Sequence, residues 1–508
     1  MKKRWLLLLP LVAVTLSGCS FLKGLIFGDD TTSEPIHYVY PDPVIQDDIP
    51  GRSIYKSFSY NLKDVLETTG QKVLPSTGTQ HLLVVPVQFR GSTLTWTASD
   101  RTDIEKCFFG ESSDTGWESV SSYYKKSSYG KFILEGQLTD TFTSSYTKAQ
   151  LNAESHPDRK IVDEFEKSSV YNTLRKQYDT NADGFIDSIA FIYREKIQVT
   201  NDDMRWWAFV YTNDSTANVD KPVVNQYMWA SYYFSQKANS GNPHGGAYNR
   251  DAHTYIHEFG HLLGLDDYYS YYDNNSYDPS GGQEMHSQNI GDENIYSKLA
   301  LGWIEPYYIK TDSSITTTLY ASSYSGQSNA IIINDNWNET PMDEYLILEY
   351  YSPTVLNEKD SQQDYAEHAR MFNASGFRMY HVDSRLVAYT KTANPAFEKR
   401  LDTIDPNYYN FIGASNTPNY PYSRLTDPYE INNFKLLHFI QSGGVNTFKY
   451  GDKASTADLF MDGATFEASS AFFTYGTKFN AGNEVGYRIS FGKCDAENMC
   501  GTVTITKI

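Results

Sequence analysis

The sequence predicts an α+β protein, with a mixed helix-and-strand domain over residues 80–306 followed by a β-rich, sandwich-like region over 307–508. Three observations predict it. Apolar strand-like runs alternate with helix-period segments as far as Pro306, short alternating runs replace the helices beyond it, and 508 residues exceed what one hydrophobic core usually organises. Hydrophobic residues at 40% and charged residues at 21% place the chain among globular proteins, and its 41 tyrosines suit β-rich structure.

The chain starts with Lys2, Lys3 and Arg4, an apolar run from Trp5 to Thr15, and then Leu16-Ser17-Gly18-Cys19. That run is too short to cross roughly 30 Å of hydrocarbon and ends in small residues, so 1–18 reads as a secretion signal. A cysteine directly after Leu-Ser-Gly resembles a bacterial lipoprotein signal, which makes Cys19 the expected lipidation site. Membrane contact is then expected only through that anchor, on the extracellular face of a bacterial membrane. Residues 19–79 are polar and broken by Pro35, Pro41, Pro43, Pro50 and Pro75, which predicts a tether.

In the first domain, residues 81–89 form an apolar strand run, and 119–129 have helical spacing that ends at Gly130, a C-cap residue. A strand at 132–138, a helix over 158–178 and a strand at 188–193 follow. In the second region the alternating runs 316–320, 344–351, 377–382, 487–491 and 502–508 read as strands. A formal net charge of -19, made more negative when the three basic residues of the leader are removed, excludes nucleic acid as an expected partner. Besides Cys19 there are Cys107, Cys494 and Cys500, too few for a disulfide scaffold. Cys107 reads as a buried small hydrophobe, whereas Cys494 and Cys500 are spaced to pair across a short loop.

The chemistry is concentrated in residues 252–267. His257 and His261 are four apart, so on a helix they project from one face and can grip one ion. Ile256, Phe259 and Leu263 give that helix an apolar face. Gly264 can take positive φ and end the helix, which lets the chain swing Asp267 back to the metal. Two imidazoles and a carboxylate leave a fourth position for water, the arrangement of a catalytic zinc site. Glu258, beside the first ligand, is the expected base for that water. Asp266 competes with Asp267 for the third position, and Glu284 or Glu293 would fill it in a thermolysin-like arrangement. His253 falls outside the pattern and reads as a packing histidine.

The extended pattern resembles the metzincin clan with aspartate in place of the third histidine, and within it the immune-inhibitor-A type of secreted bacterial metallopeptidase. The resemblance rests on Val120-Ser121-Ser122-Tyr123-Tyr124 with Ser128-Tyr129-Gly130-Lys131, on the zinc helix, on residues 298–304 and on residues 376–383. It implies a zinc metallopeptidase catalytic domain over 80–306, built as a twisted sheet with an active-site helix. It also implies endopeptidase activity on proteins or peptides, and a methionine turn beneath the metal, for which Met285 is the match. Asp266 stands where that family has proline. A monomer is expected. The competing reading is a surface lipoprotein that binds a glycan or protein and carries a vestigial metal site.

Asp179, Asn181, Asp183 and Asp187, with the Phe185 carbonyl, place oxygens at alternate positions around Gly184, which suits calcium. The loop lacks the glutamate of an EF-hand, since Ala190 occupies position twelve, and a turn held by Asx hydrogen bonds is the alternative. His381 and Asp383 share a strand face and read as a structural pair. The tyrosine-rich stretch 268–277 follows the third ligand, where it can line a substrate cleft, and ordinary surface exposure explains it as well.

Overall fold

The computed structural model describes residues 52–54, 61–68, 71–200, 203–213, 215–271, 277–324, 327–363, 370–389, 400–401, 409–417 and 434–508. The expected leader, Cys19 and most of the expected tether lie outside them. The fold is α+β with several sheets.

The first domain is built on a sheet with strand order Phe132–Leu138, Gly78–Gln88, Ile189–Tyr193, Gln226–Ser231, Phe209–Thr212. The first four strands are parallel, and Phe209–Thr212 closes the edge antiparallel. A mostly parallel sheet is covered on both faces, and the run Leu82 to Val87 shows why its strands read as continuously apolar. Leu82 and Val84 face the core that also holds Ile256 and Phe259, while Leu83, Val85 and Val87 face a second core with Ile161, Phe165 and Tyr171. The helix expected over 158–178 is two, Pro157–Phe165 and Ser169–Leu174. Ser168 breaks it, because its side chain accepts from the Tyr171 backbone N–H and so starts a new helix.

The C-terminal region is a sandwich. A six-stranded sheet of order Arg52–Ile54, Glu305–Ile309, Gln327–Ile333, Glu344–Tyr351, Gly376–Asp383, Leu437–Phe439 packs against a four-stranded sheet of Ser314–Tyr320, Cys500–Lys507, Tyr487–Asp495 and Thr465–Phe466. Glu344–Tyr351 is buried along its whole length. Its Leu346, Leu348 and Tyr350 point into the sandwich, whereas Tyr345, Ile347 and Tyr351 join the core that also holds Ile256 and Phe259. Residue 306 therefore marks a change of pattern and not a break in packing.

The stretch expected as tether also contributes structure. Arg52–Ile54 pairs antiparallel with Glu305–Ile309, and the helix Leu62–Thr68 buries Leu62 and Val65. The Leu74 backbone N–H donates to Leu262 O at 2.8 Å, which ties this segment to the first domain. Cys494 and Cys500 do not form a disulfide. The hairpin register explains it: Cys500 stands opposite Asp495 and Cys494 opposite Gly501, which puts the two side chains on opposite faces. Cys107 is buried, as expected. No helix among the described residues is long and apolar enough to cross a membrane.

Candidate metal centre

His253–Leu262 forms the helix that carries both histidines, with Tyr255, Ile256, Phe259 and Leu262 buried along it. Asp251 satisfies its first turn by accepting from the His253 backbone N–H at 2.9 Å and from His253 Nδ1 at 2.7 Å. His253 Nε2 meets Asp360 at 3.2 Å and the ring stacks on Trp117, so this histidine holds the helix in place. The helix ends where Gly264 adopts φ of +94°, and Leu265 N–H returns to Gly260 O at 3.1 Å.

Beyond that bend Asp267 comes back to the helix. Its Oδ1 lies 3.0 Å from His257 Nε2 and 3.6 Å from His261 Nε2, and the two Nε2 atoms are 3.2 Å apart. Both other ring nitrogens face backbone carbonyls, His257 Nδ1 at 3.0 Å from Met285 O and His261 Nδ1 at 2.8 Å from Leu265 O. A carbonyl accepts only, so each Nδ1 carries the hydrogen and each neutral ring turns the Nε2 lone pair toward Asp267. With both rings neutral, three lone pairs would converge with no donor among them, an arrangement that a proton on His257 or a bound cation relieves. Two donors about 2.05 Å from a tetrahedral zinc ion stand roughly 3.3 Å apart, which matches the observed triangle. The side chains of His257 and Asp267 are 7% and 8% exposed and that of His261 18%, so the centre is shielded yet reaches solvent.

The electrostatics agree. Burial pulls His257 down, but the charge and hydrogen bond of Asp267 outweigh it and push the ring up to about 10. Burial lowers His261 to about 4 despite Asp267. Asp267 is raised by burial but held well below the carboxylate range by His261, His257 and the Tyr271 hydroxyl, which donates to Oδ2. One proton on His257 thus occupies the place of a cation, and a divalent ion competes with it. Glu258 is buried, its Oε2 has no hydrogen-bond partner, and burial raises it to about 8 against the lowering effect of His257.

The expected turn methionine is buried, and its carbonyl is the one that fixes the His257 tautomer. The next residue, His286, was given no role by spacing. One of its nitrogens nevertheless lies with the ligand atoms of His257, His261 and Asp267 inside a set whose members are all within 4.8 Å of one another. Its only sequence signal is adjacency to Met285. This is the one such group of three or more His, Cys, Asp or Glu among the described residues, and it contains Asp267 but neither Glu284, Glu293 nor Asp266. Asp266 instead accepts from the Asp267 backbone N–H at 3.0 Å.

The other segments of the resemblance reach this helix or the stretch 283–292 that follows it. Tyr124 Oη donates to Ile256 O at 2.7 Å, Tyr123 Oη to Gly291 O at 3.2 Å, and Ser127 Oγ and Lys298 Nζ both reach Asp292 at 2.6 Å. Arg378, paired with Glu349 at 2.7 Å, donates to Gln283 O at 3.0 Å. His381 meets Glu344 at 2.8 Å and Asp383 holds Arg385 at 2.8 Å, so the two expected as a pair each bond to a different residue, because side chains two apart on one strand face stand too far from each other to bond. Of the tyrosine-rich stretch, Tyr268 is buried and bonded to Ser297, Tyr271 contacts Asp267, and residues 272–276 lie outside the described residues. In the oxygen-rich loop, Asp179 accepts from the N–H groups of Asp183 and Gly184, Asn181 from that of Asp183, and Asp187 from Thr180.

Comparison of the chain with models of known protein families finds no match, and comparison with curated proteins finds none either.

Proposed function

We propose that the chain is an exported, lipid-anchored zinc endopeptidase of the metzincin-like, immune-inhibitor-A type. The reading is supported above all by the triangle of His257 Nε2, His261 Nε2 and Asp267 Oδ1, whose edges of 3.0 to 3.6 Å fit donors around one tetrahedral zinc ion. A zinc ion bound there supplies Lewis acidity to a peptide carbonyl and to the water that attacks it. The chain's own groups do the rest. Met285 and Leu265 carbonyls hold the two rings in the ligating tautomer, a supporting role that typically changes metal affinity 10–100-fold. Glu258, one residue from a ligand and outside the ligand set, takes the proton of the attacking water and passes it to the leaving amine. Burial raises its proton affinity toward neutral pH, which suits a group that must both accept and release a proton.

The substrates on this reading are proteins or peptides outside the cell, with Cys19 as the anchor. Calcium in the Asp179 to Asp187 loop is proposed as a structural ion on its oxygen chemistry alone. It is tested by whether millimolar calcium raises the melting temperature of chelator-treated protein, and no rise would leave the loop as an Asx-bonded turn. The main test is zinc content and casein cleavage by the purified protein. About one zinc per chain is expected, with cleavage lost and zinc kept in Glu258→Ala. Undiminished cleavage by that variant would end the mechanism, and bound zinc without any cleavage by the parent protein would favour a binding lipoprotein.

A further inference from the structure

His286 is fully buried, and neither ring nitrogen has a hydrogen-bond partner. Its Nε2 is 3.4 Å from Glu293 Oε1, outside hydrogen-bond geometry. A buried imidazole in that condition calls for a partner of another kind. The ring centroid lies 5.0 Å from that of His257 and 5.2 Å from that of His261, and those two are 4.8 Å apart, so the three imidazoles form a nearly equilateral triangle.

Gly260 makes room for this ring. A Cβ at that position would stand 2.1 Å from His286 Nε2 and 2.3 Å from Cε1. Glycine is a poor helix residue, and its presence between the two histidines is accounted for by this close approach. From the other side, Glu284 Oε2 accepts the His286 backbone N–H at 2.9 Å, and His286 O accepts from the Tyr268 N–H at 2.9 Å, which fixes the backbone that delivers the ring.

We propose that His286 is a third imidazole ligand of the ion, with Glu293 as the carboxylate behind it. The inference rests on the metal-centre reading and not on peptidase activity. Its nitrogen is up to 4.8 Å from the other donors, farther than a tetrahedral edge. Donors on opposite sides of a zinc ion stand about 4.2 Å apart, so the longest of these separations would have to shorten for His286 to share one ion with the other three.

X-ray absorption on the full chain loaded with Zn²⁺ counts imidazoles directly. Three are expected in the parent protein and two in His286→Phe, whose Zn²⁺ affinity, measured by chelator competition, falls about 10- to 100-fold. Glu293→Gln is expected to keep three imidazoles with a smaller loss of affinity. Two imidazoles in the parent protein would overturn the proposal, even if the variants misfold, while leaving the His257, His261 and Asp267 centre intact. Failure of the parent protein to take up Zn²⁺ at all would instead overturn the centre, and this inference with it.

Discussion

Replacing Gly264 with alanine perturbs the bend that carries Asp267, and the structure sets the size of the effect. The glycine has φ of +94°, where an L-residue is disfavoured by about 1–2 kcal/mol. A Cβ there would also stand 2.3 Å from Leu66 Cδ1, on the helix Leu62–Thr68, and 3.5 Å from Val73 Cγ1. Overpacking of this kind costs about 1–3 kcal/mol. The two effects together amount to about 2–5 kcal/mol, which at roughly 2 °C per kcal/mol for a large domain lowers Tm by about 4–10 °C. Thermal melts of the metal-free protein, with zinc affinity measured alongside, check this prediction. The double variant Gly264→Ala with Leu66→Ala separates the two causes. Relief of the clash predicts a coupling of about 1–3 kcal/mol, with the backbone strain left over. Strictly additive effects, or an unchanged Tm for Gly264→Ala, would refute the argument that this turn is steric and that the preceding segment closes over it.

Other predictions follow from the same geometry. Glu258→Gln is expected to lower kcat about 10²- to 10⁴-fold with zinc content unchanged, as checked by metal analysis beside a peptide assay. Asp267→Asn is expected to weaken zinc binding more than Glu293→Gln does, while Glu284→Gln retains it, and chelator competition distinguishes this from a glutamate third ligand. The pH dependence has a definite sign. His257 is raised to about 10 when folded, so its contribution is full below about 6.5 and lost as pH rises toward 10. Glu258, raised to about 8, acts in the same direction, because a buried acid binds its proton more tightly folded than unfolded. Metal-free protein is therefore expected to melt lower at pH 9 than at pH 6.5, and zinc to narrow the difference. A metal-free Tm that rises over this range would contradict both assignments.

Much of the centre was legible because its information is local. The four-residue spacing of His257 and His261 is a helix property, and Gly264 announces the turn wherever the helix packs. The strand at 132–138 was readable for the same reason, and it is found at Phe132–Leu138. The helix over 158–178 was misread because apolar periodicity continues through Ser168, and the periodicity does not show that this side chain will bond forward to Tyr171. Cys494 and Cys500 looked able to pair because spacing does not state hairpin register.

The sequence by itself determined the two histidines that share a helix face, the bend after them, the neighbouring carboxylate and the division into helix-rich and strand-rich regions, since each depends on residues within a few positions of one another. Only the tertiary structure decided that Asp267 and neither glutamate meets the histidines, that His286 stands beside them, and that Arg52–Ile54, Leu62–Thr68 and Leu74 pack on the body. The physical reason is that these are contacts between segments brought together by burial, and hydrophobic burial is non-directional: local spacing does not say which polar side chain the shared core will deliver to one point.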